Sequence, residues 1–300
     1  EFKWNLEAIY ASFDEWQKVF DYTKNKIEAL KNARILLYFG HPQILQWYKN
    51  QFFAARFEEK PFLNMLWETN SACFQDASNL VPINRLFERD FLPEYVSTIV
   101  HQPQIDVASV QRQMRKDVIR ILWLGRLDTD KIYSLINCFD NILTSGFDQV
   151  VEFHIVGDGN ARNRINIQKY APKIRFVFTS FLYGEMRDRY ILENADFVMS
   201  MGISAMDCAM MGIPTVIPIV SPTPFGRNQY VFMQDVPDYS VGWNEEDVET
   251  LGLRTYSIKE VIDAVCESEE GRKALGEAGR RACKVMFAEQ KIGDLLLHAL

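Results

Sequence analysis

From Val118 onward the chain alternates short apolar runs with helix-periodic segments, and this alternation constrains the fold more than any other feature. The run Val118-Ile-Arg-Ile-Leu-Trp-Leu124 is too short for a buried helix and is stopped by Gly125, so it predicts a strand. Asp130 to Thr144 then places Ile132, Leu135, Ile136, Phe139 and Leu143 at helical spacing. The same reading predicts strands over Val151–Val156, Ile174–Phe178, Ala195–Met199 and Thr215–Ile219. Between them it predicts a polar helix ending near Tyr170, a helix over Gly184–Asn194 and a short one over Ser204–Met211. Strands joined by helices of this length need right-handed crossovers, which build a parallel sheet covered on both faces. Ligands of such sheets sit at the carboxyl ends of the strands, so the residues after each strand are the candidates for function.

Residues 1–115 carry a shorter series of the same kind: helix Leu6–Leu30, strand Ile35–Phe39, helix Gln43–Phe57, strands Phe62–Trp67 and Leu80–Ile83, a short helix to Phe91 and strand Val96–Val100. The expectation is therefore an α/β protein of two Rossmann-like doubly wound domains, residues 1–115 and 116–300, with the polar Gln102–Lys116 as linker. A doubly wound sheet normally opens with a strand, whereas this chain opens with a helix and with Glu1 rather than methionine. The first domain is accordingly expected to be incomplete at its front. Ser257-Ile-Lys-Glu260 is a capping box that opens a helical tail. The last helix, Ala288 to Leu300, bears an apolar stripe of Ile292, Leu295, Leu296 and Leu300. That stripe either crosses back to residues 1–115 or packs on its own domain.

Composition removes several classes. At 48% hydrophobic and 24% charged residues the chain is globular rather than disordered. Its 33 basic against 40 acidic side chains, a net charge of −7, exclude a general nucleic-acid binder, which needs a basic face. The same balance disfavours broad binding to acidic lipid and leaves only a local, peripheral membrane contact. Cys73, Cys138, Cys208, Cys266 and Cys283 lie far apart without CxxC spacing, so they read as free thiols of a reducing, cytoplasmic compartment and not as a zinc site. The apolar stretch Phe197–Val220 is broken by Gly202, Asp207, Gly212, Pro214 and Pro218 and reads as core, not as a membrane span. No signal peptide pattern opens the chain.

Three segments could carry chemistry. In Leu124-Gly-Arg-Leu-Asp-Thr-Asp-Lys131, Gly125 lets the backbone approach a ligand and Arg126 offers a planar fork for phosphate oxygens. Lys131 stands in the first turn of the next helix, whose amides favour an anion, so the pair reads as a diphosphate clamp or as solvated charge. Gly157-Asp158-Gly159 ends the second strand as a ligand loop or a plain tight turn. Met199-Ser-Met-Gly202-Ile-Ser204-Ala-Met-Asp207 runs from strand through a glycine turn into a helix. There Asp207 either closes a capping box with Ser204 or presents its carboxylate to a ribose diol, with the turn amides near Gly202 and Ser204 facing phosphate. His41, Glu68 and Asn70 follow strands of the first unit and read as turn residues or as cleft residues. His101 closes that unit, and His154 and His298 read as structural.

Taken together, the three segments resemble the nucleotide-binding domain of GT-B glycosyltransferases, especially the retaining family-4 type, over about residues 96–300. Gly125, Arg126, Asp130 and Lys131 match that family's Gly-Arg-x-x-x-Glu/Asp-Lys segment. Gly157-Asp158-Gly159 is similar to its Val-Gly-x-Gly turn, and Asp207-Cys-Ala-Met-Met-Gly-Ile-Pro214 to its Glu-Ala-Met-Ala-x-Gly-x-Pro. The resemblance implies a nucleoside-diphosphate sugar of the UDP or GDP type as donor, Arg126 and Lys131 at the departing diphosphate, and Asp207 at the ribose. It also implies a saccharide or lipid-linked acceptor on the N-terminal side, where His41 is the catalytic candidate. No cofactor and no metal is implied, and the expected setting is surface-polysaccharide or glycoconjugate synthesis in the cytoplasm, with contact at the inner face of the membrane allowed. The chain departs from the family in two places. Met199 stands where the first acid of E-x7-E belongs, eight residues before Asp207, and the loop Met201–Ser204 is shorter. Those departures motivate an inactive GT-B scaffold as an alternative; a sugar-nucleotide epimerase on the same fold is a further one.

Overall fold

The computed structural model describes residues 37–39, 72–74, 102–110, 117–129, 131–237 and 241–286. In chain order these form β1 (Leu37–Phe39), β2 (Ala72–Phe74), β3 (Val118–Leu124), α1 (Ile132–Thr144), β4 (Val150–Val156), α2 (Ile167–Tyr170), β5 (Ile174–Thr179) and α3 (Gly184–Asn194). There follow β6 (Phe197–Met199), α4 (Ile203–Met210), β7 (Thr215–Pro218), β8 (Tyr230–Phe232), α5 (Glu245–Thr250), α6 (Ile258–Cys266) and α7 (Glu269–Met286). β3 to β8 make a six-stranded sheet in the order β5-β4-β3-β6-β7-β8. All its pairings are parallel except β7 with β8. This is a doubly wound Rossmann-like sheet.

Every residue of β3 is buried, which explains a continuous apolar run without polar alternation. Ile121 and Trp123 face a core under α1 and α6, formed with Leu135, Phe139, Ile262 and Val265. Leu122 and Leu124 face a second core with Ile191, Leu192 and Cys208. α7 is fastened to the sheet by a buried ion pair, Arg272 Nη1 to Asp196 Oδ1 at 3.0 Å, and Asp196 Oδ2 accepts from the Arg120 amide at 2.7 Å. The helix also lies so close to the turn before β7 that a Cβ on Gly276 would stand 1.9 Å from the Gly212 carbonyl oxygen.

Several boundaries differ from the sequence reading for local reasons. The polar helix ending at Tyr170 is only a 3-10 turn at Arg162–Arg164 followed by the single turn of α2, capped by Asn166. α4 opens at Ile203, with Gly202 as its cap at φ 64° and ψ −144°, a conformation open only to glycine. The Ser257–Glu260 capping box forms as expected at α6. β8 and α5 were not expected; α5 is opened by a capping box of Asn244 with Asp247. The polar segment expected as a linker is docked, at least over residues 102–110: Ile105, Val107 and Val110 pack on the second core.

In the first unit β1 and β2 pair in parallel, Leu37 opposite Ala72. β1 lies within the expected strand Ile35–Phe39, whereas β2 falls between two expected strands. The remaining expectations for residues 1–101 and the apolar stripe of residues 288–300 lie outside the described residues.

Candidate functional site

β4 and β5 lie on one side of β3, and β6 and β7 on the other, so the winding reverses between β3 and β6. The crevice at such a reversal, above the carboxyl ends of the strands, is where doubly wound sheets bind ligands. The register brings those ends level: Leu124 pairs with Val156 and Trp123 with Met199. Ser200, fully buried, ties β6 to β3 by donating from Oγ to the Leu124 carbonyl at 2.7 Å.

The glycines after β3 and β4 serve one another. Gly157 has φ 136°, and a Cβ there would stand 2.2 Å from the Gly125 carbonyl oxygen. A Cβ on Gly159 would stand 2.5 Å from the Leu127 carbonyl. The two loops dock backbone to backbone through Gly125 N to Val156 O at 3.1 Å, Leu127 N to Asp158 O at 3.0 Å and Ala161 N to Leu127 O at 3.0 Å. Gly157-Asp158-Gly159 is thus first a docking turn that presents the Gly125–Asp128 loop.

An open cleft of about 400 Å³ lies on these loops, lined by Arg126, Asp128, Asp158, Gly159 and Phe181. Arg126 is half exposed and its Nη1 donates to Asp128 Oδ2 at 2.7 Å. An exposed pair of this kind is worth about 0–1 kcal/mol, so an incoming anion can compete for the guanidinium. Phe181 is 49% exposed and stacks beside Tyr183, with ring centroids 6.4 Å apart. Asp128 and Phe181 were missed by the sequence reading, although Phe181 follows β5 as Arg126 follows β3. Gly125, Lys131, Gly202, Ser204 and Asp207 are not among the lining residues. Lys131 is the cap of α1, its amide bonded to the Asp128 carbonyl at 3.0 Å. The Nε1 of fully buried Trp123 and the Oγ of buried Ser134, in the first turn of α1, make no hydrogen bond.

The turn into α4 is arranged differently from the expected one. The Gly202 amide donates to Val241 O at 2.8 Å, so it is already engaged. The first-turn amides of Ile203 and Ser204 have no acceptor inside the helix. Ser204 and Asp207 form no capping box, because no side chain caps α4. Asp207 instead is 5% exposed and its Oδ2 accepts from Arg187 Nη1 at 2.8 Å. Burial works against the Arg187 charge, but Asp188 and Asp207 outweigh it and hold the guanidinium above its ordinary value.

Other candidates fall away from this cleft. His154 is buried in β4, with Nδ1 2.8 Å from Tyr190 Oη and Nε2 3.1 Å from Glu152 Oε1. Burial holds its ring below the ordinary value despite the pull of Glu152. Cys138, Cys208 and Cys283 are buried free thiols raised by desolvation, Cys283 to about 12, which makes them poor nucleophiles. Among the described residues no cluster of His, Cys, Asp and Glu could hold a metal ion, and no helix is long and apolar enough to cross a membrane. His41, Glu68, Asn70, His101, Asp130 and His298 lie outside the described residues.

No family model matches the chain, and no curated protein matches it. Solved structures do. Several of these structural neighbours are glycosyltransferases. A mutant of S. aureus TarM in complex with Fondaparinux, alpha-GlcNAc-glycerol and UDP shares 15% identity over 83% of this chain and 48% of its own, with a TM-score of 0.49. WaaG, a glycosyltransferase involved in lipopolysaccharide biosynthesis, shares 9% over 95% of this chain and 82% of its own, at 0.46. The N-terminal domain of a Candida albicans trehalose-6-phosphate phosphatase shares 11% over 100% and 77%, at 0.49. The chain spans about half the length of the TarM structures.

Proposed function

We propose that this chain is a glycosyltransferase of the GT-B type, which moves a sugar from a nucleoside-diphosphate sugar to a saccharide or lipid-linked acceptor in surface-polysaccharide or glycoconjugate synthesis. The observation that carries the reading is the position of Arg126, on an open cleft over the carboxyl ends of β3, β4 and β5, with β3 bordering the point where the sheet reverses its winding. The first-turn amides of Ile203 and Ser204 belong to the strand end next to it. A half-exposed guanidinium and helix amides are the donors that a diphosphate needs.

In the reaction the bond between the sugar's anomeric carbon and the diphosphate oxygen breaks, and the diphosphate leaves with the electron pair. The acceptor hydroxyl forms the new bond to the anomeric carbon and gives up its proton, which the departing diphosphate takes. Arg126 exchanges Asp128 for the diphosphate and, with Lys131, offsets the charge that grows on it, which is electrostatic catalysis. Asp207 takes the ribose hydroxyls. His41 is the candidate on the acceptor side. The reading includes a UDP or GDP donor, retention of configuration and no requirement for metal. Residues 1–115 form the acceptor domain and 116–300 the donor domain, in the cytoplasm.

One observation favours a second reading, a scaffold that binds nucleotide without turnover: Met199, in place of the first family acid, is fully buried in β6. Calorimetry with UDP, GDP and ADP, followed by nucleotide release from UDP- and GDP-sugars with and without saccharide acceptors, separates the readings. A bound nucleotide at 100 times its Kd adds about 2.7 kcal/mol of stability, so thermal shift checks the binding independently. Acceptor-dependent release supports the transferase, binding without release the scaffold, and no binding refutes both.

A further inference from the structure

Arg187 was not a candidate in the sequence, yet its guanidinium pairs with Asp207. Its guanidinium is held as a fork: Nε and Nη2 donate to Asp188 Oδ1 at 2.9 and 2.7 Å, and Nη1 donates to Asp207 Oδ2 at 2.8 Å. Asp188 is fully buried, and its other oxygen accepts from the Gln104 amide at 2.8 Å. The guanidinium therefore has a fixed anchor on one side, and its third bond sets where the Asp207 carboxylate points. A loosely held cation could swing aside as a gate, whereas one clamped by a buried carboxylate acts as a template.

Asp207 needs such a partner. A carboxylate only 5% exposed is costly to keep charged without a cation or several donors. A nucleotide would also bring its phosphate charges toward that carboxylate, and a fixed guanidinium offsets the repulsion. A carboxylate oxygen has two lone pairs, so the bond from Nη1 does not by itself use up Oδ2. We propose that Arg187 is a positioning residue that holds Asp207 charged and aimed at the ribose of the nucleotide. This inference rests on the reading of Asp207 as the ribose acid.

The test is calorimetry of UDP and of uridine with the full chain and with Arg187→Lys, Arg187→Gln, Asp207→Asn and the double variant Arg187→Gln/Asp207→Asn. Both ligands carry the ribose, so Arg187→Gln should weaken both about tenfold or more, whereas loss of a phosphate contact weakens only UDP. Arg187→Lys keeps the charge but not the fork and should fall between. In the Asp207→Asn background, Arg187→Gln should change affinity less than about threefold, because the carboxylate it positions is gone. If folded Arg187 variants bind both ligands within about twofold of the parent while Asp207→Asn loses affinity, Arg187 is a stability residue only and the proposal is overturned. If Asp207→Asn itself keeps both affinities, the ribose reading fails and this inference with it. Should Arg187→Gln not fold, Arg187→Lys decides alone: affinities equal to the parent's refute positioning.

Discussion

Gly157→Ala is the sharpest test of how the candidate site is built. The added Cβ would stand 2.2 Å from the Gly125 carbonyl oxygen, more than 1 Å short of ordinary contact, and 3.0 Å from its carbon. Both partners are backbone, so neither can turn away as a flexible side chain would. At φ 136° the alanine is also strained by about 1–3 kcal/mol whatever the space. Relief of the overlap costs about 1–3 kcal/mol more as the loops part. Parting weakens Gly125 N to Val156 O and Leu127 N to Asp158 O, each worth about 1 kcal/mol. The expected loss is about 3–6 kcal/mol against a total stability of about 5–15 kcal/mol. Urea unfolding followed by circular dichroism should show the midpoint falling by more than about 1 M. Gly146→Ala is the control: its φ is 77°, but no neighbour lies within 4 Å of an added Cβ, so strain alone should appear, at about 1–2 kcal/mol. Equal losses for the two variants would refute the docking argument.

Arg126→Ala should weaken UDP or GDP binding by about 1.5–3 kcal/mol and leave uridine or guanosine binding unchanged; calorimetry showing equal losses would remove Arg126 from the phosphates. Burial holds the His154 ring below its ordinary value of 6.5, so the folded state resists a proton that the unfolded chain accepts. Its contribution to stability is complete above about pH 6.5 and shrinks as pH falls from there toward the lower folded value. His154→Gln should therefore lose less stability than the parent between pH 7.5 and 5.5 in urea titrations, and parallel losses would disprove the assignment. Arg272→Met leaves Asp196 buried without the helix's cation and should cost about 3–5 kcal/mol in the same assay, with a loss under about 1 kcal/mol counting against the pair as the anchor of α7.

What the sequence determined by itself is local. β3 was legible to the residue because a fully buried parallel strand must be a continuous apolar run between breakers, and Val118–Leu124 before Gly125 is one. The Ser257 capping box at α6 was legible because such a box is written in two residues three apart. The rule that ligands sit at strand carboxyl ends made Arg126 a candidate, and in the structure Arg126 lines an open cleft. β8 escaped notice because a three-residue strand has no periodicity to detect, and its antiparallel partner, β7, lies on the far side of the connection over residues 219–229. Tertiary structure alone decided the reasons behind several residues. The sequence shows that position 157 is glycine, but only the approach of the Gly125 loop shows why. Asp207 looked like a cap by its spacing from Ser204 and proved to be a partner of Arg187, twenty residues away. Arg272 and Asp196 stand 76 residues apart. Pairing between distant charges depends on which helix faces land on which strands, and no local pattern encodes that.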